Sequence, residues 1–329
     1  MLVLRVWILT VSFAAVTLAR SHAVGIPVKD PGGDFFVTRV ALSAGLFLAF
    51  AAVQAALRTP AGQRSAGSLW ATFRTGWPAG RLATAWACLL AYHVVYLSYH
   101  NLKSWDVLLQ PHDRALTRVD QWLFLGHSPA VLLHDLLGQG SATYVLLVIY
   151  EAFPTLVVLV VAGSVLTTEL RDGVSVLASL TWVWILGTAT YYSVPSLGPF
   201  HDRPQDFAGL PHTKATSTQA LYVAQRDHLL AHPHAADAFA QVSAFASLHV
   251  GVTTVIALMA AHLGHGRVSR VLWVYLALVC VATVYLGWHF VVDDVAGLAI
   301  GWAAVRLGLW TTRDRRSRAD ARPVTVAAS

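Results

Sequence analysis

Tyr285-Leu-Gly-Trp-His-Phe-Val-Val-Asp-Asp-Val-Ala-Gly297 sets a histidine and two carboxylates between two apolar runs, each long enough to cross a bilayer. Ionisable groups are costly in that setting and call for a reason. With the following run helical, His289 and Asp293 stand four residues apart on one face. The carboxylate then holds one imidazole nitrogen and leaves the other free to react, which is the orienter-and-histidine half of a catalytic triad. The spacing alone is a weak signal, so the membrane context and a second histidine must carry the reading.

That context is plain in the composition. The chain is 56% hydrophobic and 12% charged with a positive mean hydropathy, whereas soluble domains carry about 25% charged residues. An all-α polytopic membrane protein is expected. The net charge of +6 comes from arginines in short segments between apolar runs, where they report orientation in the membrane, and nucleic acid is not an expected partner. Cys88 and Cys280 lie singly inside apolar runs and read as packing residues.

Outward from the opening stretch, the apolar runs give the topology. Met1 to Leu18, flanked by Arg5 and Arg20, fits either a secretory signal or a short first span. Phe35 to Leu57 is the next span, and Arg58, Arg64, Arg74 and Arg81 follow with no acidic residue among them, which makes that loop cytoplasmic. Leu82 to Leu102 leads outward to a mixed segment, Lys103 to Ala142, expected as amphipathic helix on the outer interface. Thr143 to Leu166, with Glu151 and a kink or loosening at Pro154, returns inward, and Val174 to Pro195 goes out again. A long polar loop, Ser196 to Gln241, follows, of a length that is usually functional or disordered. Ala244 to Leu263, Val271 to Trp288 and Asp294 to Trp310 complete the spans, and Arg313, Arg315, Arg316, Arg318 and Arg322 mark a cytoplasmic tail. Residues 1–80 are thus expected as N-terminal membrane segments with a basic loop, 81–312 as a six-helix catalytic membrane domain and 313–329 as a basic tail. The arginine-rich loops fall on one side and the His289 stretch on the other, so the chemistry is expected on the extracytoplasmic face.

His249, in Phe245-Ala-Ser-Leu-His-Val-Gly251, lies forty residues before His289. Two spans of about 20 residues take the chain in and back, which returns His289 to the level of His249. Helix-start amides near Ser247 would add donors for an anion. Taken alone, His249 reads as an interfacial histidine bonded to a backbone carbonyl.

Phe245-Ala-Ser-Leu-His249, and Tyr285-Leu-Gly-Trp-His289 with Asp293, resemble the second and third signature motifs of the type 2 phosphatidic acid phosphatase superfamily. The match is nearest to its branch related to inositol phosphorylceramide synthase. Tyr191-Tyr-Ser-Val-Pro-Ser-Leu-Gly-Pro-Phe200 resembles that branch's aromatic, proline-rich first motif, which makes Tyr192 and Pro195 candidate substrate contacts. The resemblance implies a six-helix core, preceded here by one or two N-terminal helices. It makes His289 the nucleophile that takes the phosphoryl group, Asp293 its orienting partner and His249 the acid that protonates the leaving oxygen. The scheme uses no metal and no cofactor.

The departures concern charge. Thr283 stands where common phosphatases of the superfamily carry an arginine, Ala246 replaces a usual proline, and the first-motif region has no Lys-x6-Arg-Pro. Arg203, Lys214, Arg226 or Lys103 must then supply the positive partners a phosphate dianion needs, or the substrate is a less charged diester. Glu151 is expected to contact a head group and Asp294 to cap the last helix. His228, His232 and His234 read as loop histidines, since no carboxylate or cysteine pattern accompanies them. The expected function is a lipid phosphotransferase of the plasma membrane that moves a phosphoryl-head group, inositol phosphate among the options, through a phosphohistidine. A lipid phosphate or polyprenyl (pyro)phosphate phosphatase is the alternative. A non-enzymatic lipid-binding or transport protein is the other class, but its polar residues would run along several spans, whereas here they gather at one face. Oligomeric state is not legible.

Overall fold

The computed structural model describes residues 1–313, and within them every regular element is helical. Arg315, Arg316, Arg318 and Arg322 of the expected tail lie outside the described residues. In chain order the helices are α1 (Leu2–Val24), α2 (Val37–Arg58), α3 (Ala66–Gly76), α4 (Ala79–Asp106), α5 (Asp113–Leu123), α6 (Pro129–Leu137) and α7 (Ser141–Ser164). They continue as α8 (Leu170–Ser193), α9 (Pro199–Asp202), α10 (Lys214–Ala231), α11 (Leu248–His262), α12 (Gly266–Tyr285) and α13 (Val291–Thr312). Seven of these, α1, α2, α4, α7, α8, α12 and α13, are long and apolar enough to cross a membrane. The protein is an all-α polytopic membrane protein.

α8 is the central helix and packs on α13, α4 and α11. Glycine allows the closest of these approaches, as small residues do wherever helix backbones meet in lipid. A methyl group at Gly301 of α13 would lie 2.6 Å from the Gly251 carbonyl oxygen of α11, and one at Gly308 would lie 2.2 Å from Ser179 Oγ of α8. Gly301→Val should therefore force α11 and α13 apart. We expect a cost of about 1–3 kcal/mol, read as a lower melting temperature in detergent, together with lost activity, because this contact also aligns the two histidines.

α11 is shorter than the apolar run from Ala244 to Leu263 suggests. Its 15 residues span about 22 Å, because residues 238–247 enter the bundle as extended chain. Ala240, Val242, Ala244 and Ala246 are buried in alternation. Non-helical backbone at this depth must be satisfied by protein. Ala240 N–H donates to Ser104 Oγ at 3.0 Å, Ala244 N–H to the Ser196 carbonyl at 2.9 Å, Phe245 N–H to Ser196 Oγ at 2.9 Å and Ala246 N–H to Thr190 Oγ1 at 3.0 Å.

The N-terminal pair packs on this core. α1 lies against α4 and α13, and α2 against α3, α7 and α4. α2 and α4 run antiparallel in register: Phe35, just before α2, stacks on His100, Arg39 sits over Tyr96, and Ser43 bonds His93 at 2.9 Å. At the face opposite the histidines, Arg5 donates to the Arg313 carbonyl at 2.7 Å and Arg81 to the Thr167 carbonyl at 2.5 Å.

Two segments differ from the sequence expectation. The stretch after α4 is two helices, α5 and α6, and Asp113 and Asp120 of α5 turn inward. Asp113 accepts the N–H groups of Leu197 and Gly198 at 2.9 and 2.8 Å, and Asp120 accepts those of Val291 and Val292 at 2.8 and 3.2 Å. The polar stretch from Ser196 to Gln241 is no simple loop, since α10 runs through it. A capping box between Thr213 and Thr216 starts that helix, and Gln219 Nε2 ties it down by donating to the Leu286 carbonyl at 2.8 Å.

Candidate active site

Six helix ends meet at one face: the last turns of α4, α8 and α12 and the first turns of α7, α11 and α13. Between them lies a cavity of about 450 Å³, within the range of small-molecule sites. His249 and His289 both line it, with ring centroids 5.9 Å apart and edge to face.

His289 sits in the turn between α12 and α13. The turn closes through Gly287 at φ +80°, a left-handed conformation that favours glycine, and the Trp288 and His289 N–H groups return to the Thr283 carbonyl at 2.9 and 3.2 Å. His289 Nδ1 faces Asp293 Oδ2 at 3.4 Å, a long contact of the kind that tightens when substrate binds. The same oxygen accepts the Phe290 N–H at 3.0 Å. Asp293 therefore both caps α13 and orients His289. With Asp120 on the next two amides, the start of α13 is fixed on three sides. His289 is 5% exposed, and burial pushes its imidazole down to about 4, against the opposing pull of Asp294 and the Ala244 carbonyl. It is neutral at pH 7, the state in which an imidazole can act as a nucleophile.

Asp294 does not serve as the cap. Its Oδ2 accepts from Thr283 Oγ1 at 2.9 Å, and the Ser247 hydroxyl also reaches it. Thr283 thus holds a carboxylate where a cation was absent by sequence. Ser247 is fully buried, outside the cavity lining. It begins α11, with its N–H on the Asp293 carbonyl at 3.0 Å and its Oγ 3.5 Å from Val250 N. His249 follows two residues later, its ring stacked on Tyr150 at 4.4 Å and against Phe153 at 4.4 Å. Trp288 lies parallel to Tyr150 at 5.6 Å and extends this aromatic wall. The amides at the first positions of α11 belong to Leu248 and His249, which line the cavity, where an anion would meet them.

Two cations line the cavity, Lys103 and Lys214. Lys214 of α10 is ion-paired with Glu151 of α7 across the mouth. Lys103, in the last turn of α4, has no carboxylate within 4 Å among the described residues and lies 6.0 Å over the Tyr191 ring. It is the cation best placed for a substrate phosphate.

The other expected contacts lie elsewhere. Tyr192 turns away from the cavity, donating to the Leu102 carbonyl at 2.9 Å with Arg20 over its ring, and its neighbour Tyr191 faces in. The Pro195 carbonyl accepts the His112 N–H at 2.7 Å. Arg203 forks onto Asp206 at 2.8 and 3.2 Å, beside a small crevice that shares only His289 with the cavity. Arg226 pairs with Asp227 at 3.2 Å. On the outer surface His228 meets Asp237 at 3.0 Å, and no group of three His, Cys, Asp or Glu side chains among the described residues is placed to hold a metal.

A family model described as the PAP2 superfamily matches residues 114–307, more than half of the chain, and spans both histidine motifs. The chain belongs to the PAP2 superfamily, whose members are typically phosphatases or phosphotransferases acting on lipid phosphates in membranes. No curated protein and no solved structure matches it.

Proposed function

We propose, with membership of the PAP2 superfamily as the premise, that the protein transfers a phosphoryl-head group from a phosphodiester lipid to a lipid alcohol, as its resemblance to the inositol phosphorylceramide synthase branch implies. The observation that carries this reading is the cavity's charge. Its two histidines sit 5.9 Å apart, yet of its two lysines one is already paired with Glu151. One free ammonium matches the single charge of a diester better than the dianion of a phosphate monoester. The Glu151 carboxylate, also lining the cavity, repels a dianion and offers acceptors to the hydroxyls of a polyol head group.

In this mechanism His289 attacks phosphorus through the nitrogen that Asp293 leaves free, and the P–O bond to the departing alcohol breaks. His249, protonated, gives that oxygen its proton. The phosphohistidine, still esterified to the head group, then meets the acceptor alcohol, whose proton passes to His249 as its oxygen displaces His289. Lys103 and the first-turn amides of α11 hold the non-bridging oxygens. The catalytic unit is residues 81–312, opening on the extracytoplasmic face, since the arginines Arg5, Arg58, Arg64, Arg74 and Arg81 lie toward the other end of the bundle.

Purified protein incubated with phosphatidylinositol and a lipid alcohol should form the transferred lipid faster than free head-group phosphate. Phosphatidic acid should be the poorer substrate. Rapid phosphate release from phosphatidic acid with no transfer product would establish the phosphatase reading instead.

A further inference from the structure

The catalytic cavity has a neighbour across its aromatic wall. A second space, about 100 Å³ in volume, opens between α2, α4, α7 and α8 and shares Tyr96, Phe153, Pro154 and Trp184 with the main cavity. Beyond Arg39, Val157, Val158 and Val161 succeed one another along α7 as an apolar face, opposite the hydrogen-bonded Ser43 and His93 of α2 and α4. It is open to the side, since Pro154 is exposed and Arg39 and Val158 are partly so. At its far end α2 and α7 close on each other, where Gln54 Nε2 lies 3.4 Å from the Leu166 carbonyl oxygen.

Arg39 lines this groove in the first turn of α2, toward the same end of the bundle as the catalytic cavity. Among the described residues it has no hydrogen bond and no ion pair, and its guanidinium meets only the Tyr96 ring, 5.8 Å from the centroid. An arginine held at a membrane interface without an anion is an incomplete site. The groove is too small for a head group, and it shares the wall of Tyr96, Phe153, Pro154 and Trp184 with the catalytic cavity. α2 also lies outside both the region matched to the superfamily and the proposed catalytic unit, so the side of the groove that carries Arg39 comes from the N-terminal part of the chain.

We propose that this groove is a lateral binding site for an anionic phospholipid of the surrounding leaflet, whose phosphate pairs with Arg39 and whose acyl chain lies along Val157, Val158 and Val161. Charge complementarity selects the head group, which stays at the mouth beside Arg39, and the valine face takes the chain, so the bound lipid lies next to the cavity that holds His249. The inference rests on the proposed lipid chemistry for its purpose, but the binding itself can be measured apart from turnover.

The test uses the full chain in detergent with the His289→Ala background and with the active protein. Native mass spectrometry with dioleoyl phosphatidylglycerol and dioleoyl phosphatidylcholine reads binding directly. The His289→Ala protein should bind the anionic lipid in preference, and adding Arg39→Gln should weaken that preference at least tenfold. Val158→Trp, which fills the groove from its half-exposed side, should weaken binding of both lipids. In the active protein, both variants should raise KM for a long-chain donor about tenfold while leaving a short-chain, water-soluble diester unaffected. Anionic-lipid binding unchanged in both variants would overturn the groove. Binding lost as expected in a protein with no turnover on any phosphodiester would sink the proposed function and leave the groove standing.

Discussion

Replacing His289 by alanine is expected to lower turnover by at least about 10,000-fold, because it removes the atom that forms the covalent intermediate in the proposed mechanism. The side chain is 5% exposed and its ring lies against Asp293, Ala244 and the cavity. The fold should survive its loss, since the backbone of the turn is held independently by Thr283 and by the Asp120 and Asp293 caps. Circular dichroism and a melting temperature near that of the parent would separate loss of chemistry from loss of structure. A labelled diester should leave an acid-labile, base-stable phosphoryl adduct on the parent protein and none on the variant. The pH dependence follows from the same burial. His289 is pushed down to about 4, so it stays neutral through pH 5, and the acid limb of kcat/KM should fall well below the 6.5 of an ordinary histidine. Adduct formation by His289→Ala, or a parent whose activity is lost already near pH 6.5 on this limb, would remove His289 from the nucleophile's place.

The sequence shows some of this directly and hides the rest for physical reasons. Spans are visible because a bilayer demands about 20 apolar residues in a row, and the pairing of His249 with His289 follows from the length of the hairpin between them. Asp293 beside His289 is an i, i+4 contact, which one helix dictates. What local spacing does not dictate is which way a side chain turns within a pair of neighbours. Tyr191 faces the cavity and Tyr192 the Leu102 carbonyl, and Asp293 took the capping role that Asp294 was expected to fill. Asp113 and Asp120 are a different case. Their partners lie 84 and 171 residues away, so nothing in the amphipathic pattern of α5 reveals that they brace the loops carrying the site. Arg203 was attractive as a cation beside a proline, but Asp206 three residues on satisfies it. Lys103 had been one option of four, and only the return of α4 to the histidine face singles it out.

Replacing His249 by glutamine is the second large effect, about 100- to 10,000-fold, the range a positioned general acid contributes. The size should depend on the leaving group, because the assigned role is to put a proton on the departing oxygen. An alkyl alcohol, as in a natural phospholipid, leaves poorly as an alkoxide and should suffer the full loss. A nitrophenyl phosphodiester leaves as a stable phenolate and needs no proton, so its first turnover should be almost as fast as in the parent. The second half-reaction still requires a base to take the acceptor's proton, and the variant should then stall as the phosphohistidine. A burst of nitrophenol followed by near-silence is the expected trace. Tyr150 stacks on the His249 ring and Phe153 packs tilted against it, at 4.4 Å each, which fixes its position without using its nitrogens. Tyr150→Ala should consequently reproduce a weaker form of the same leaving-group dependence, while a His249 that served only to hold the aromatic wall together would, when replaced, slow both substrates alike and give no burst.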